Sequence, residues 1–272
     1  MIKRYVSTDI PAIRAFLQSD PDLMIQFNAG LQSVDMLYFD IWLSRDDAGR
    51  LTAVLFRSYG DFYLKATSYV DPEELAGFFH FLPMLYTLSC DSETAEELLP
   101  LLYQVRGRAS CTVAVQPQVP PPLSYELNYH RAQSMDDYRS VYDLLALADN
   151  LELTRFDDYY YLRRNMEKSW TGRSYCLLHG QVAYATASTS GECPGLALVT
   201  DVATHPRFRR KGLGFALMTA LCRDLHEVGK LPHVIYQTEV AASFYEHLGF
   251  EPLYDFTRIT FDSPGVPVRK LF

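Results

Sequence analysis

Between residues 201 and 214 the chain reads DVATHPRFRRKGLG, and its second half sets Arg209, Arg210 and Lys211 against Gly212, Leu213 and Gly214. An apolar stretch, 196–202, leads into this turn, and a helical pattern follows it: Phe215, Leu217, Met218, Leu221, Cys222 and Leu225 recur at i, i+3, i+4 spacing. The first amides of a helix have no acceptor within it, and the macrodipole puts partial positive charge there. Glycine lets main chain close on a phosphate, so a strand feeding a basic, glycine-bearing helix start is an anion seat. The spacing predicts that the amides from Arg209 to Gly214 hold a pyrophosphate, with Arg210 and Lys211 adding Coulomb attraction.

Two other phosphate loops are excluded. A P-loop carries Lys and Ser/Thr after its second glycine, where this chain has Phe215 and Ala216. The dinucleotide fingerprint needs three glycines and an acidic residue at the end of the next strand, which here ends near Gln237 and Thr238. The residues do resemble [Q/R]-x-x-G-x-[G/A], the coenzyme A pyrophosphate loop of the GNAT superfamily of N-acetyltransferases, with Arg209 first and Gly212 and Gly214 in the small positions. Downstream, Ala241, Tyr245, Gly249 and Phe250 are similar to that superfamily's A-x-x-x-Y-x-x-x-G-F signature. The resemblance covers residues 125–261, half the chain.

That resemblance implies acetyl-CoA as cosubstrate, with no metal, and transfer of the acetyl group directly to the amine of a small molecule in a ternary complex. By position, the main chain of Val202, Ala203 and Thr204 pairs with the pantetheine arm, and an N–H there polarises the thioester carbonyl. Val202 reads equally as a core strand residue; main-chain contacts allow both. Tyr245 aligns with the tyrosine that protonates the departing sulfur, a role suited to a phenol whose ordinary pKa is about 10. The glutamate that serves some members as general base falls near Leu198, which cannot accept a proton. Asp201, His205 and Glu239 are nearby candidates, and a water chain or an already neutral amine serves as well. Thr238 stands where an asparagine is often found. Two other readings stay open: a non-catalytic acyl-CoA-binding sensor or assembly module, which Leu198 favours, and transfer to a protein amine.

Stepping outward to the elements that would hold these groups, the second half reads β-α-α-β-β-β-α-β-α-β. A strand is expected near 126–131, a helix capped by Ser134, a second helix near 157–167, and strands at 174–178 and 181–188 about a His179-Gly180 turn. The helix after the loop runs about 215–227, followed by a strand at 233–237, a helix at 241–248 and a strand at 253–261. The first half repeats the order β-β-β-α-β-α-β: a helical pattern at 10–16, strands at 37–43, 51–57 and 62–67, a helix opened by Asp71-Pro72-Glu73-Glu74, a strand at 84–89, a helix at 92–102 and a strand at 109–115. Where the second half offers arginines, the first offers carboxylates that repel a pyrophosphate. The expected fold is therefore α/β with a mixed sheet, as tandem GNAT-like (acyl-CoA N-acyltransferase) modules. The first, 1–115, is degenerate; 116–124 is a Pro-rich linker; the second, 125–272, carries the coenzyme A loop. Acceptor selection falls to 150–161, where carboxylates and aromatics either enclose an ammonium or form an ordinary acidic helix start with a packed face.

Composition narrows the class. Of 272 residues, 48% are apolar and 14% aromatic, which supports a packed core. No apolar run nears the roughly 20 residues that cross a bilayer, and 1–5 lead straight into polar positions, so a cytoplasmic protein with no membrane partner is expected. Five scattered cysteines form no C-x-x-C pair, which excludes a disulfide framework and a zinc site. The formal charge of −8 argues against nucleic acid and suits a cationic acceptor. Oligomeric state is left open by the sequence.

Overall fold

The computed structural model describes residues 2–32, 39–58, 60–67, 70–82, 85–148 and 155–262; of these, 2–113 with 254–262 form one compact unit and 114–253 a second. The first unit contains β1 (Lys3–Arg4), α1 (Ile10–Leu17), α2 (Pro21–Gln32), β2 (Phe39–Arg45), β3 (Leu51–Ser58), β4 (Asp61–Ala66), α3 (Pro72–His80), β5 (Thr87–Cys90), α4 (Ser92–Leu98) and most of β6 (Val105–Val115). The second contains β7 (His130–Arg131), α5 (Met135–Ala146), α6 (Phe156–Lys168), β8 (Ser174–His179), β9 (Val182–Cys193), β10 (Leu196–Thr204), α7 (Leu213–Glu227), β11 (Leu231–Tyr236), α8 (Glu239–His247) and the start of β12 (Glu251–Phe261).

In the first unit β2, β3 and β4 form an antiparallel meander, and β4 then pairs in parallel with β5 through Asp61–Thr87, Phe62–Leu88 and Tyr63–Ser89. Strand alternation splits the side chains between two faces. Val54, Phe56 and Tyr63 pack with Ile13, Leu17 and Phe27 of α1 and α2, while Leu55, Phe62 and Leu64 pack with Leu75 and Phe79 of α3 and Leu98 of α4. Each such side chain contributes about 1.5–3 kcal/mol through burial. The helix α3 starts on Asp71, whose carboxylate accepts the Glu73 amide at 2.9 Å, with Pro72 in its first turn.

Several expectations change. Helix α2 adds to the expected elements, and its Asp20-Pro21-Asp22 start repeats the start signal of α3. The strand at 126–131 contracts to β7, because the Tyr129 amide turns back onto the Leu127 carbonyl at 3.0 Å. Residues 254–262 were assigned to the second domain but lie in the first unit: Thr257 and Arg258 pair with Cys90 and Ser89, and Ile259 and Phe261 enter its core. The stretch expected as a linker is fastened to the second unit. The Gln116 amide donates to the Pro232 carbonyl at 2.9 Å, its side chain to Leu248 O at 2.6 Å, and Arg223 donates to Pro120 O at 2.8 Å. The strand at 37–43 and the strand at 84–89 lie partly outside the described residues, as does 150–154 of the acceptor segment.

The second unit orders its strands β11-β10-β9-β8-β7. One face carries α7, whose Leu217, Leu221 and Leu225 meet Ala185, Ala187, Ala197 and Val199; the other carries α5 and α6 over Cys176 and Ala203. Helix α5 begins as predicted on Ser134, in a capping box with Asp137. Where β9 ends, Glu192 is buried and fully paired: Arg173 donates to both its oxygens at 2.7 Å, and Lys230 and Thr189 each donate at 2.7 Å. No helix among the described residues is long and apolar enough to cross a membrane.

Candidate active site

Strands β10 and β11 run parallel but are paired only from Leu196–Leu231 to Leu198–His233, after which neither finds the other. On its other side β10 is antiparallel to β9, with Thr200 opposite Ser188 and Ala203 opposite Thr186. Three steps on β10 match two on β9, so one extra residue is inserted, a β-bulge. Asp201 and Val202 have no partner in either register, and Asp201 takes a left-handed φ of 51°. Main chain that is unpaired inside a sheet is available to a ligand. Of the three residues expected to present it, Val202 is the one released by the bulge, whereas Ala203 and Thr204 still pair with β9 and the Thr204 carbonyl accepts Arg209 Nε at 3.2 Å.

Beyond β10 the chain makes a 3-10 turn, Pro206–Phe208, and enters the basic loop. Phe208 stacks on Tyr184 at 4.3 Å between ring centroids, and Lys211 Nζ lies 5.0 Å above Phe208. Arg210 adopts φ 59° and Gly212 φ 78°, two left-handed residues that bend the main chain into a cup before Leu213 opens α7. No side chain caps α7. At Gly214 the reason for glycine is space: a Cβ there would stand 2.7 Å from Thr204 Oγ1. The two glycines therefore serve different ends, one conformation and one close approach, and the loop is the kind of cradle a pyrophosphate requires. At the start of α3 in the first unit, by contrast, Asp71 accepts the Glu73 amide, and Glu73 and Glu74 stand in the first turn.

Tyr245, on α8, packs among Tyr236, Phe244 and Phe250 with ring centroids 5.2–5.8 Å away. No described residue hydrogen-bonds its hydroxyl, and burial, with a smaller contribution from Cys222, raises the phenol above its ordinary pKa. Thr238, in the asparagine position, caps α8 by accepting the Ala241 amide at 3.2 Å. Leu198 is buried in the core. Of the three candidate bases, His205 Nδ1 accepts the Arg207 amide at 3.2 Å, Glu239 is exposed at the start of α8, and Asp201 accepts the Tyr159 hydroxyl at 3.2 Å with Arg163 Nη1 3.7 Å away. Tyr159 lies in the 150–161 segment expected to select the acceptor, but its bond to Asp201, the placing of Arg163 beside it and the Tyr184–Phe208 stack join residues of different elements, and no local pattern marks them. The aromatics of 156–160 are packed: Phe156 and Tyr159 are buried and Arg139 lies over the Phe156 ring at 3.3 Å. Among the described residues no three His, Cys, Asp or Glu side chains gather as a metal site.

Strand splay, bulge and basic helix start are the arrangement that the resemblance to the GNAT superfamily leads one to expect of this unit. Residues 171–252 match the family model described as an acetyltransferase (GNAT) domain, so the second unit carries a GNAT domain. Among solved structures, the chain is similar to a GCN5-related N-acetyltransferase from Sphaerobacter thermophilus (TM-score 0.68, 14% identity, 98% of this chain and 97% of that one). It is likewise similar to a Drosophila protein (TM-score 0.68, 12% identity, 96% and 98%). A tandem GNAT protein from the clavulanic acid biosynthesis pathway aligns over 98% of this chain and 99% of its own, at TM-score 0.57 and 16% identity. Identities this low establish the fold, which is a tandem GNAT-like one. No curated protein matches the sequence.

Proposed function

We propose that the second unit is an acetyl-CoA-dependent N-acetyltransferase acting on the amine of a small molecule by direct transfer. The observation that carries this reading is that Val202 has no register partner on either neighbouring strand, at the end of the strand that feeds a glycine-shaped, uncapped helix start. Amides from Arg209 to Gly214 take the pyrophosphate, and Arg210 and Lys211 neutralise it. Val202 main chain meets the pantetheine arm and thioester. The acceptor nitrogen bonds to the acetyl carbon, the C–S bond breaks with its electron pair on sulfur, and Tyr245 supplies the sulfur's proton. Because burial raises its pKa, this phenol holds that proton throughout the neutral range. The amine arrives neutral, or first gives its ammonium proton to water; the proton its nitrogen then loses on forming the amide passes through water and restores the Tyr245 phenol.

A second reading, an acyl-CoA-binding sensor, draws on the buried Leu198, a position that gives some GNAT enzymes their base. Calorimetry with coenzyme A and a thiol-release assay over a panel of small amines separate the two. The enzyme reading expects binding and free thiol with at least one amine. Binding with no thiol released across the panel supports the sensor, and absence of binding removes both.

A further inference from the structure

The bulge in β10 decides which main-chain groups face the opening beside β11. A one-residue slip in a strand turns every following residue over, so without the insertion between Thr200 and Ala203 the N–H and C=O groups of 202–204 would exchange directions. A bulge of this kind needs a residue held in the left-handed region, which disfavours side chains other than Gly, Asn and Asp. Here that residue is Asp201, and its carboxylate is gripped from α6. Tyr159 and Arg163 are one turn apart on the same face of that helix; the Tyr159 hydroxyl donates to Asp201 Oδ2 at 3.2 Å and Arg163 Nη1 lies 3.7 Å from the same oxygen. Arg163 is itself immobilised, with a side chain 4% exposed, donating to Ser174 Oγ, the Thr189 carbonyl and the Arg173 carbonyl at 3.0–3.1 Å. Asp201 is thus tied through one guanidinium to the strands β8 and β9 on which the bulge rests.

We propose that Asp201, clamped by Tyr159 and Arg163, is a positioning residue that fixes the β10 bulge and thereby aims the Val202 main chain at the thioester carbonyl. The inference rests on the acetyltransferase reading and assigns α6 a part in it: the helix beside the acceptor segment sets the donor that polarises the acyl group. Asp201 is not required as a base, since its carboxylate already accepts the Tyr159 hydroxyl and is ion-paired with Arg163.

The test is infrared spectroscopy of acetyl-CoA carrying a 13C-labelled acetyl carbonyl, bound to the full chain, alongside calorimetry with coenzyme A lacking the acetyl group. Wild-type protein is expected to lower the carbonyl frequency relative to the free thioester. Asp201→Gly accepts the left-handed conformation but offers Tyr159 and Arg163 nothing; Tyr159→Phe deletes one hydroxyl. Both are expected to lose most of the frequency shift, with coenzyme A affinity unchanged within about threefold, and the double variant to lose no more than either alone. Asp201→Asn, which keeps both the conformation and an acceptor, is expected to retain the shift. A wild-type frequency in Asp201→Gly, or in Tyr159→Phe should the glycine variant fail to fold, overturns the proposal, as does binding to the wild type with no shift. Absence of acetyl-CoA binding to the wild type instead refutes the underlying acetyltransferase reading.

Discussion

Gly214 and Thr204 meet so closely that a single added methyl on the glycine would lie 2.7 Å from the threonine hydroxyl oxygen. That contact joins the first turn of α7 to the last residue of β10, and so sets the loop against the strand whose main chain is released.

Gly214→Ala is therefore expected to destabilise the protein by about 1–3 kcal/mol through overpacking, and to weaken coenzyme A binding because α7 must move off β10. Adding Thr204→Ala removes the opposing oxygen and should restore part of both losses. Thermal unfolding and calorimetry on the single and double variants check this; equal losses in the two would place the cost elsewhere.

Tyr245→Phe should lower kcat by tens-fold to about 100-fold while leaving acetyl-CoA affinity nearly unchanged, since a general acid acts in the transition state. Burial raises this phenol above its ordinary value near 10, so in the wild type no loss of turnover from its ionisation is expected below that pH. Steady-state kinetics with any amine that supports thiol release measures both; an unchanged kcat with chemistry rate-limiting would remove Tyr245 from the reaction.

Glu192 ties β9 to Arg173 and Lys230. Burial alone would raise its pKa, but the hydrogen bonds from Arg173, Lys230 and Thr189 outweigh this and lower it. A carboxyl lowered on folding contributes stability above its unfolded value, about 4.3, and loses it as pH falls through the folded one. Glu192→Gln should cost about 3–5 kcal/mol near neutrality by leaving two cations without a countercharge. Its unfolding free energy should also fall less steeply than the wild type's under acid. Denaturant titrations at stepped pH test this, and parallel curves would refute it.

The loop, the helices α7 and α8 and the strand between them could be read from sequence because each is encoded locally: two glycines, a 3.6-residue apolar period, a Gly249-Phe250 stop. Ser134 likewise announced α5 as its cap, and it closes a capping box with Asp137 three positions on. The Asp201–Tyr159 bond spans 42 positions, and nothing in either neighbourhood marks it. The bulge itself leaves no trace in composition, since Asp201 looks like any polar strand end. Four prolines read as a spacer because they forbid helix and inner strand; that the Pro120 carbonyl also accepts Arg223 depends on α7, a hundred residues away. The α2 start is legible in Asp20-Pro21-Asp22, but its apolar positions follow the helical period only weakly and give the start signal little support.

The anchoring of residues 114–120 bears on how the second unit can be isolated. A fragment beginning at residue 125 would forfeit Ala114 from the apolar cluster around α7, and the two ties of Gln116 to Pro232 and Leu248. Leu248 is the residue on which α8 ends, three positions past Tyr245. Trimming the chain at its prolines would accordingly loosen the very helix that carries Tyr245, and a cut upstream of Ala114 is the one that spares it.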